Sequence, residues 1–454
     1  MKIMRTIIAL ILAVLAIIFL AKPALAFCGF YVAKADTKLY NEASQVIIAR
    51  DGQRTVLTMA NDYQGEVKDF ALVVPVPVVL LEEQVHVGDP KIIERLDAFS
   101  APRLVEYFDE NPCDLRPRME DRDGLFNAVP SASSGMNRSE EKALGVTIES
   151  QFTVGEYDIL ILSAKESNGL ETWLRQNGYN IPKGASQILQ PYIQENLKFF
   201  VAKVNLKEYQ NTGFKSLRPL MMAFESPKFM LPIRLGMINS KGEQDLIVYL
   251  LSPKGQIELA NYRTVQIPSN LNIPEFVQNE FGDFYKSLLV KSYQREDYKV
   301  ALLEYAWDMG SCDPCSAEPL NPEELKQAGV FWLNADSNSG IMPSSNVFIT
   351  RLHLRYSRDK FPEDLRFQET PNQQLFQGRY VISRPYRGND QCSAMETYKK
   401  QVKERQEKEA QTLAQLTGWD INKIREKIDF LEYKPTPWWR NLWQSLANKL
   451  RLYG

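Results

Sequence analysis

Gln45-Val46-Ile47-Ile48-Ala49-Arg50-Asp51-Gly52-Gln53-Arg54-Thr55-Val56-Leu57-Thr58-Met59 is the stretch whose reading decides the fold class. Two runs rich in β-branched residues flank Asp51-Gly52, and Asp-Gly supplies the positive φ angles a tight hairpin turn needs. The stretch therefore predicts a β-hairpin, and the chain around it should supply strands to pair with it. Phe70-Ala71-Leu72-Val73-Val74-Pro75-Val76-Pro77 is the next apolar run. Proline cannot donate to a ladder, so Pro75 and Pro77 predict an edge strand, or one that leaves the sheet there. Asp89-Pro90 then opens a helix, since Asp caps free amides and Pro fits the first turn. Ile92, Ile93, Leu96 and Phe99 give that helix one apolar face.

Further along, Val146, Ile148, Phe152 and Val154 alternate, and Tyr157-Asp158-Ile159-Leu160-Ile161-Leu162 follows as a strand. Two helical patterns come next, one with Leu170, Trp173 and Leu174, the other with Ile188, Leu189, Tyr192 and Ile193. Phe199-Phe200-Val201-Ala202-Lys203-Val204 closes the group as a strand. Strand, helices, strand is the order of a crossover unit. Residues 217–265 are β-rich again, with Pro253-Lys254-Gly255 as a turn. Pro274 starts a helix with Val277, Phe281, Phe284, Tyr285, Leu288 and Leu289 on one side. Residues 300–307 fit helix or strand equally. Asn321-Pro322-Glu323-Glu324 has a cap, a first-turn proline and acids at the N-terminus, so a short helix should end near Gly329. Val347, Ile349, Leu352, Leu354 and Tyr356 mark a strand with a slip of phase near Thr350. Residues 398–416 predict a charged, solvated helix with few apolar anchors.

The fold class is therefore α+β: two β-rich blocks, a β-α-β crossover unit and a helical C-terminal arm. The segmentation is a signal peptide at 1–26, an N-terminal β-rich block at 27–113, a mobile loop or linker at 114–145, a main α+β region at 146–392 and the arm at 393–454. The linker reading rests on the Arg, Asp, Glu, Ser and Asn content of 114–144 and its lack of period.

Residues 1–5 are basic, 6–20 apolar, and Ala24-Leu25-Ala26 is a small-x-small cleavage site. Together they predict secretion, to the periplasm or outside the cell, with a retained membrane anchor as the alternative. Cleavage takes Lys2, Arg5 and Lys22 from the 54 basic residues and none of the 56 acids, so the formal charge moves from −2 to −5. A mildly acidic chain offers no basic footprint for nucleic acid.

All five cysteines, Cys28, Cys113, Cys312, Cys315 and Cys392, lie beyond that cleavage site, where disulfides are permitted. Cys312-Asp313-Pro314-Cys315 is the sharpest chemical signal. A CxxC at a helix start lowers a thiol pKa and does thiol–disulfide chemistry. Here Pro319 and Pro322 intervene and the helix signal begins near Asn321. The leading reading is a structural bridge, within the pair or to Cys113 or Cys392. The alternatives are an oxidoreductase using Cys312 and Cys315, and a zinc module holding the metal with Cys312, Cys315, Cys392 and His353. His86 and His353 are the only histidines, which excludes a histidine-rich metal centre. HExxH, GxSxG, P-loop and GxGxxG motifs are absent, so catalytic residues are not nominated.

The last stretch carries Trp438, Trp439, Leu442, Trp443, Leu446 and Leu450 near i, i+4 spacing, with Arg440, Gln444 and Lys449 opposite. Trp438, Trp439 and Trp443 are candidate membrane contacts; docking on its own domain is the plainer expectation.

Several stretches resemble a bacterial family of exported proteins catalogued as domain of unknown function 2330. They are residues 70–77 quoted above, Phe152-Thr153-Val154-Gly155-Glu156-Tyr157-Asp158, Leu162-Ser163-Ala164-Lys165-Glu166-Ser167, Lys198-Phe199-Phe200-Val201-Ala202-Lys203-Val204, Cys312-Asp313-Pro314-Cys315 and Arg351-Leu352-His353-Leu354-Arg355-Tyr356. Cys28-Gly29-Phe30 resembles a reduced form of a Cys/Gly-rich start that members carry. The resemblance implies export and brings no activity, substrate or catalytic residue. The function expected is that of an exported cell-envelope binding or scaffolding protein, stabilised by disulfides.

Overall fold

The computed structural model describes residues 30–33, 40–41, 44–60, 63–64, 70–114, 146–177, 185–213, 217–238, 242–311, 313, 317–333, 346–388, 390 and 392–432. The stretch expected to be a signal peptide, the stretch expected to be a linker beyond Asp114, Cys28, Cys312, Cys315 and the Trp438–Trp439–Trp443 stretch lie outside them. The protein is α+β, as expected. Contacts divide the chain into two compact units: Met1–Pro102 with Ala132–Ile267 and Glu296–Gln377, and Arg103–Ser131 with Pro268–Arg295 and Gly378–Gly454.

The hairpin forms, with its loop at Gly52-Gln53, one residue later than the Asp51-Gly52 turn expected from sequence. Ser44–Asp51 and Arg54–Ala60 pair antiparallel with Asp51 opposite Arg54, leaving a two-residue loop. Gly52 takes φ +58° and Gln53 stays at negative φ, the pattern of a II′ turn. This hairpin lies inside a nine-stranded mixed sheet. Gln244–Ser252 joins it parallel to Ser44–Asp51, and Phe348–Tyr356 and Val300–Asp308 follow antiparallel. Residues 300–307, open between helix and strand on sequence, are thus an interior strand, flanked on its outer side by the short strand Arg263–Gln266.

A second, five-stranded antiparallel sheet runs Phe30–Ala33, Phe70–Val76, Lys198–Val204, Tyr157–Ala164, Val146–Val154. Two expectations need correction here. Phe70–Val76 is not an edge strand along its length, being paired on both sides over residues 71–73, though it leaves the sheet after Val76 as the other branch of the expectation had it. Its partner Phe30–Ala33 is short and stops at Val73, so Pro75 lies beyond it and pairs only with the Lys198–Val204 side. The missing N–H costs no ladder bond on the open flank. Second, Tyr157–Ala164 and Lys198–Val204 are adjacent and antiparallel rather than a parallel crossover pair. Two helices, Ser167–Gln176 and Ala185–Gln194, lie between them. Each joint reverses the chain, so one intervening helix yields parallel strands and two yield antiparallel ones.

The first unit is layered. Val46, Ile48, Leu246, Val248, Leu352 and Leu354 from the nine-stranded sheet meet Leu72, Val74, Ile159, Ile161, Phe200 and Ala202 from the five-stranded sheet in one core. The other face of the five-stranded sheet packs Phe199, Val201 and Leu162 on Leu170, Leu174, Leu189 and Tyr192 of the two helices. The other face of the nine-stranded sheet receives the helices Pro90–Ser100 and Pro322–Gln327. Ile92, Ile93, Leu96 and Phe99 are buried there, with Asp89 capping at 3.0 Å from the Lys91 N–H.

In the second unit Arg103–Phe108, Arg379–Arg384 and Leu271–Asn272 form a small parallel sheet. Glu275–Glu280 is a 3-10 turn leading into Phe281–Arg295, and Ser393–Thr417 and Ile421–Lys427 complete the unit. The charged helix is not a solvated arm: Met395, Val402, Gln406, Glu409, Ala410, Leu413 and Leu416 form a buried stripe. Gln406 and Glu409 interrupt the apolar period, which hid the stripe from a hydrophobicity reading. Among the described residues, no helix is long and apolar enough to cross a membrane.

Candidate functional site

The slip of phase near Thr350 marks the most unusual feature of the first unit. The register of Phe348–Tyr356 against Gln244–Ser252 runs without a break, so the slip is not a bulge. Even positions face the inter-sheet core; odd positions face the Pro90–Ser100 helix. Along the odd face Ile349 is apolar and Arg351, His353 and Arg355 are not. Arg351 and His353 are only 5% and 7% exposed. Burying Arg351 and His353, with Arg355 half-buried beside them, requires compensating acids.

Those acids come from two other strands and the helix. Glu304 is fully buried. A bulge between Leu303 and Tyr305 shifts the register, which turns both Glu304 and Tyr305 toward the helix side. Glu304 accepts from Arg351 Nε through Oε2 at 2.6 Å and meets His353 Nδ1 through Oε1 at 2.7 Å. Asp245 stands 3.5 Å from His353 Nε2 and takes both Arg355 Nε and Nη2 at 2.8 Å. At the other end Arg351 Nη1 donates to Asp97 of the helix at 2.7 Å. Tyr249 donates to the same Asp97 oxygen at 2.9 Å and accepts from Gln45 at 3.0 Å. Acid and base alternate along a row: Asp97, Arg351, Glu304, His353, Asp245, Arg355.

Burial alone would pull His353 down, but Glu304 and Asp245 outweigh it and raise its pKa to about 9. Burial likewise pushes Asp245 up, and His353 and Arg355 reverse this to hold it well below the usual carboxylate range. The imidazole is thus an imidazolium at neutral pH, donating from Nδ1 to Glu304 and ion-paired through Nε2 with Asp245, and not a general base. The serine hydroxyl beside the row, that of Ser100, donates to Leu96 O at 2.6 Å and accepts from Arg351 Nη1 at 3.4 Å. It faces a cation rather than a base, so it has no route to activation. The row joins helix to sheet with charge and holds a proton in place; it carries no nucleophile–base pair.

The cysteines fall into two groups. Cys113 and Cys392, both sequence candidates, form a disulfide with Cα atoms 5.8 Å apart across 279 residues of chain. The Cys392 sulfur is thus bonded to Cys113, and His353 turns its ring nitrogens to Glu304 and Asp245. Cys312 and Cys315 lie outside the described residues. Asp313 between them is held by Tyr305 Oη at 2.9 Å and Gln377 Nε2 at 2.7 Å, so this loop position is tied to the sheet. Among the described residues, no group of His, Cys, Asp and Glu is arranged to hold a metal ion. Trp438, Trp439 and Trp443 lie outside the described residues.

Around the disulfide the second unit carries its own polar cluster. Asp109 accepts from Tyr398 at 2.6 Å and from both terminal nitrogens of Arg405 at 3.0 and 2.8 Å. Arg384 pairs with Glu106 at 2.6 Å and with Glu275.

Sequence reasoning missed the charge row entirely. A signal was present: Arg351-Leu352-His353-Leu354-Arg355 alternates bases with leucines, while Glu304 and Asp245 stand in otherwise apolar strands. Alternation ordinarily sends the polar set to solvent, and only the covering helix reverses that reading.

No curated protein and no solved structure matches the chain significantly. A family profile does match, over residues 22–368, spanning the hairpin, both sheets and the charge row. The chain belongs to that family, described as uncharacterized proteins conserved in bacteria, DUF2330.

Proposed function

We propose that this chain is an exported cell-envelope protein that works as a non-enzymatic binding or scaffolding body, stabilised by its disulfide. The observation that carries the reading is the Cys113–Cys392 bridge. Disulfides persist in oxidising compartments and are rare where thiols are kept reduced. The basic, apolar and small-x-small order of residues 1–26 points the same way. The charge row supports the non-enzymatic part, since its one histidine is held protonated and its hydroxyl faces an arginine.

The test is fractionation of bacterial cells expressing the full chain, with free thiols blocked by alkylation at lysis. The protein is expected in the periplasmic or extracellular fraction with Cys113 and Cys392 protected from the alkylating agent. A cytoplasmic protein with both cysteines alkylated would overturn the reading. Contact with a membrane surface through Trp438, Trp439 and Trp443 is part of the proposal. Truncation before Pro435 should lower co-sedimentation with anionic vesicles; equal sedimentation of full and truncated chains rules that part out.

A further inference from the structure

In the second unit Glu409 presents a problem of charge. It lies on the Ser393–Thr417 helix and is only 4% exposed. One turn earlier stands Arg405, the sole cation among the groups that act strongly on it. That guanidinium is already committed: Nη1 and Nη2 both donate to Asp109, and Nη2 also reaches Ser383 O at 3.4 Å. Only Nε faces Glu409, 3.5 Å from Oε1. Among the described residues neither that Nε nor that Oε1 makes a hydrogen bond. The other charged groups acting on Glu409 from packed elements are acids, Asp109 beyond the Arg103–Phe108 strand and Glu275 of the 3-10 turn. Two carboxylates therefore compete for one guanidinium, Glu409 from the buried side, and a buried ionised acceptor without its own donors is costly.

We propose that the Glu409 carboxyl is a proton-operated latch on the Ser393–Thr417 helix: neutral, it lets the helix seat on the Asp109 strand end; ionised, it contends with Asp109 for Arg405 and loosens that seat. The latch sits downstream of one fixed point. Cys392 ties the start of the helix covalently to Cys113, four residues beyond Asp109. Loosening therefore frees the middle and end of the helix while its start stays attached. The proposal is independent of the export reading, because it rests only on contacts within this unit.

Burial raises the Glu409 pKa, Arg405 opposes this, and Asp109 and Glu275 add to it, for a value of about 7. A folded-state pKa above the unfolded one contributes stability at low pH that is lost as pH rises through the folded value. The device is thus set to open with rising pH near neutrality.

The experiment is amide hydrogen exchange on the full-length, disulfide-intact protein, corrected for intrinsic chemical exchange. Protection in residues 398–417 should fall about thirtyfold between about pH 5.5 and about pH 8.5, while residues 90–100 of the first unit change little. In E409Q the fall should shrink to about threefold or less. E409M, chargeless and close in volume, serves if E409Q does not fold. Constant protection of 398–417 in the unaltered protein overturns the latch, as does an undiminished fall in either variant.

Discussion

His353 is the residue on which the electrostatics of the first unit turn. Its Nδ1–H is bonded to Glu304 and its Nε2 is ion-paired with Asp245, and Arg351 and Arg355 complete the row at either side. Because its folded pKa is raised to about 9, its contribution is present below the ordinary histidine range and is lost as pH rises through about 9. Thermal unfolding of the first unit should therefore weaken between about pH 7 and about pH 9.5, and the same weakening should be absent in H353Q. With only two histidines in the chain, proton NMR can follow the ring directly: His353 should keep imidazolium shifts through about pH 8. Removing Glu304 is a harsher change. E304A leaves Arg351 and His353 buried without their shared acid and should cost about 3–5 kcal/mol in denaturant unfolding. A loss below about 1 kcal/mol would mean the row is solvated in solution. This level of detail was not legible in the sequence. Asp97, Asp245, Glu304 and Arg351 are scattered along the chain and meet only through sheet order and a bulge, which no local pattern encodes.

Elements were more legible, where their determinants are local. The hairpin at Gly52 and the helix Pro90–Ser100 follow from turn chemistry, a cap and one apolar face. The short helix Pro322–Gln327 is another: Asn321 accepts from the Glu323 and Glu324 N–H groups at 3.0 and 2.9 Å, and Glu324 answers at the Asn321 N–H. N321A should cost about 1 kcal/mol. The helix then stops at Gly329, where φ is +95° and a Cβ would stand 2.6 Å from Val56 Cγ1 of the hairpin. G329A therefore meets both a forbidden backbone and a packed neighbour, and should destabilise by more than about 1 kcal/mol. Urea midpoints of the two variants check the ranking, with G329A the more damaging. Elements whose fate depends on partners were misread. Phe70–Val76 tolerates proline inside a sheet because its neighbour ends early. Ser393–Thr417 packs despite its charges because Gln406 is satisfied on arrival, donating to Asp429 O and accepting from the Leu431 N–H.

At the scale of the molecule, the two units differ in what holds them. The first has a layered apolar core on both sides of two sheets, pinned by one charge row. The second has a smaller sheet, a helix with acids and amides in its buried stripe, and a covalent bond between residues 279 apart. A cross-link over so long a loop restricts the unfolded chain and is worth about 2–4 kcal/mol. Reduction, or C113S with C392S, should lower the stability of the second unit by that amount and leave the first almost unchanged. Exchange protection measured segment by segment separates the two responses. Peptide mapping of the full-length protein under non-reducing conditions, purified from an oxidising compartment, measures the pairing itself. A Cys113 peptide linked to the Cys392 peptide is expected, separating into its halves on reduction. Cys392 linked instead to Cys312 or Cys315, or recovered as a free thiol, would contradict it.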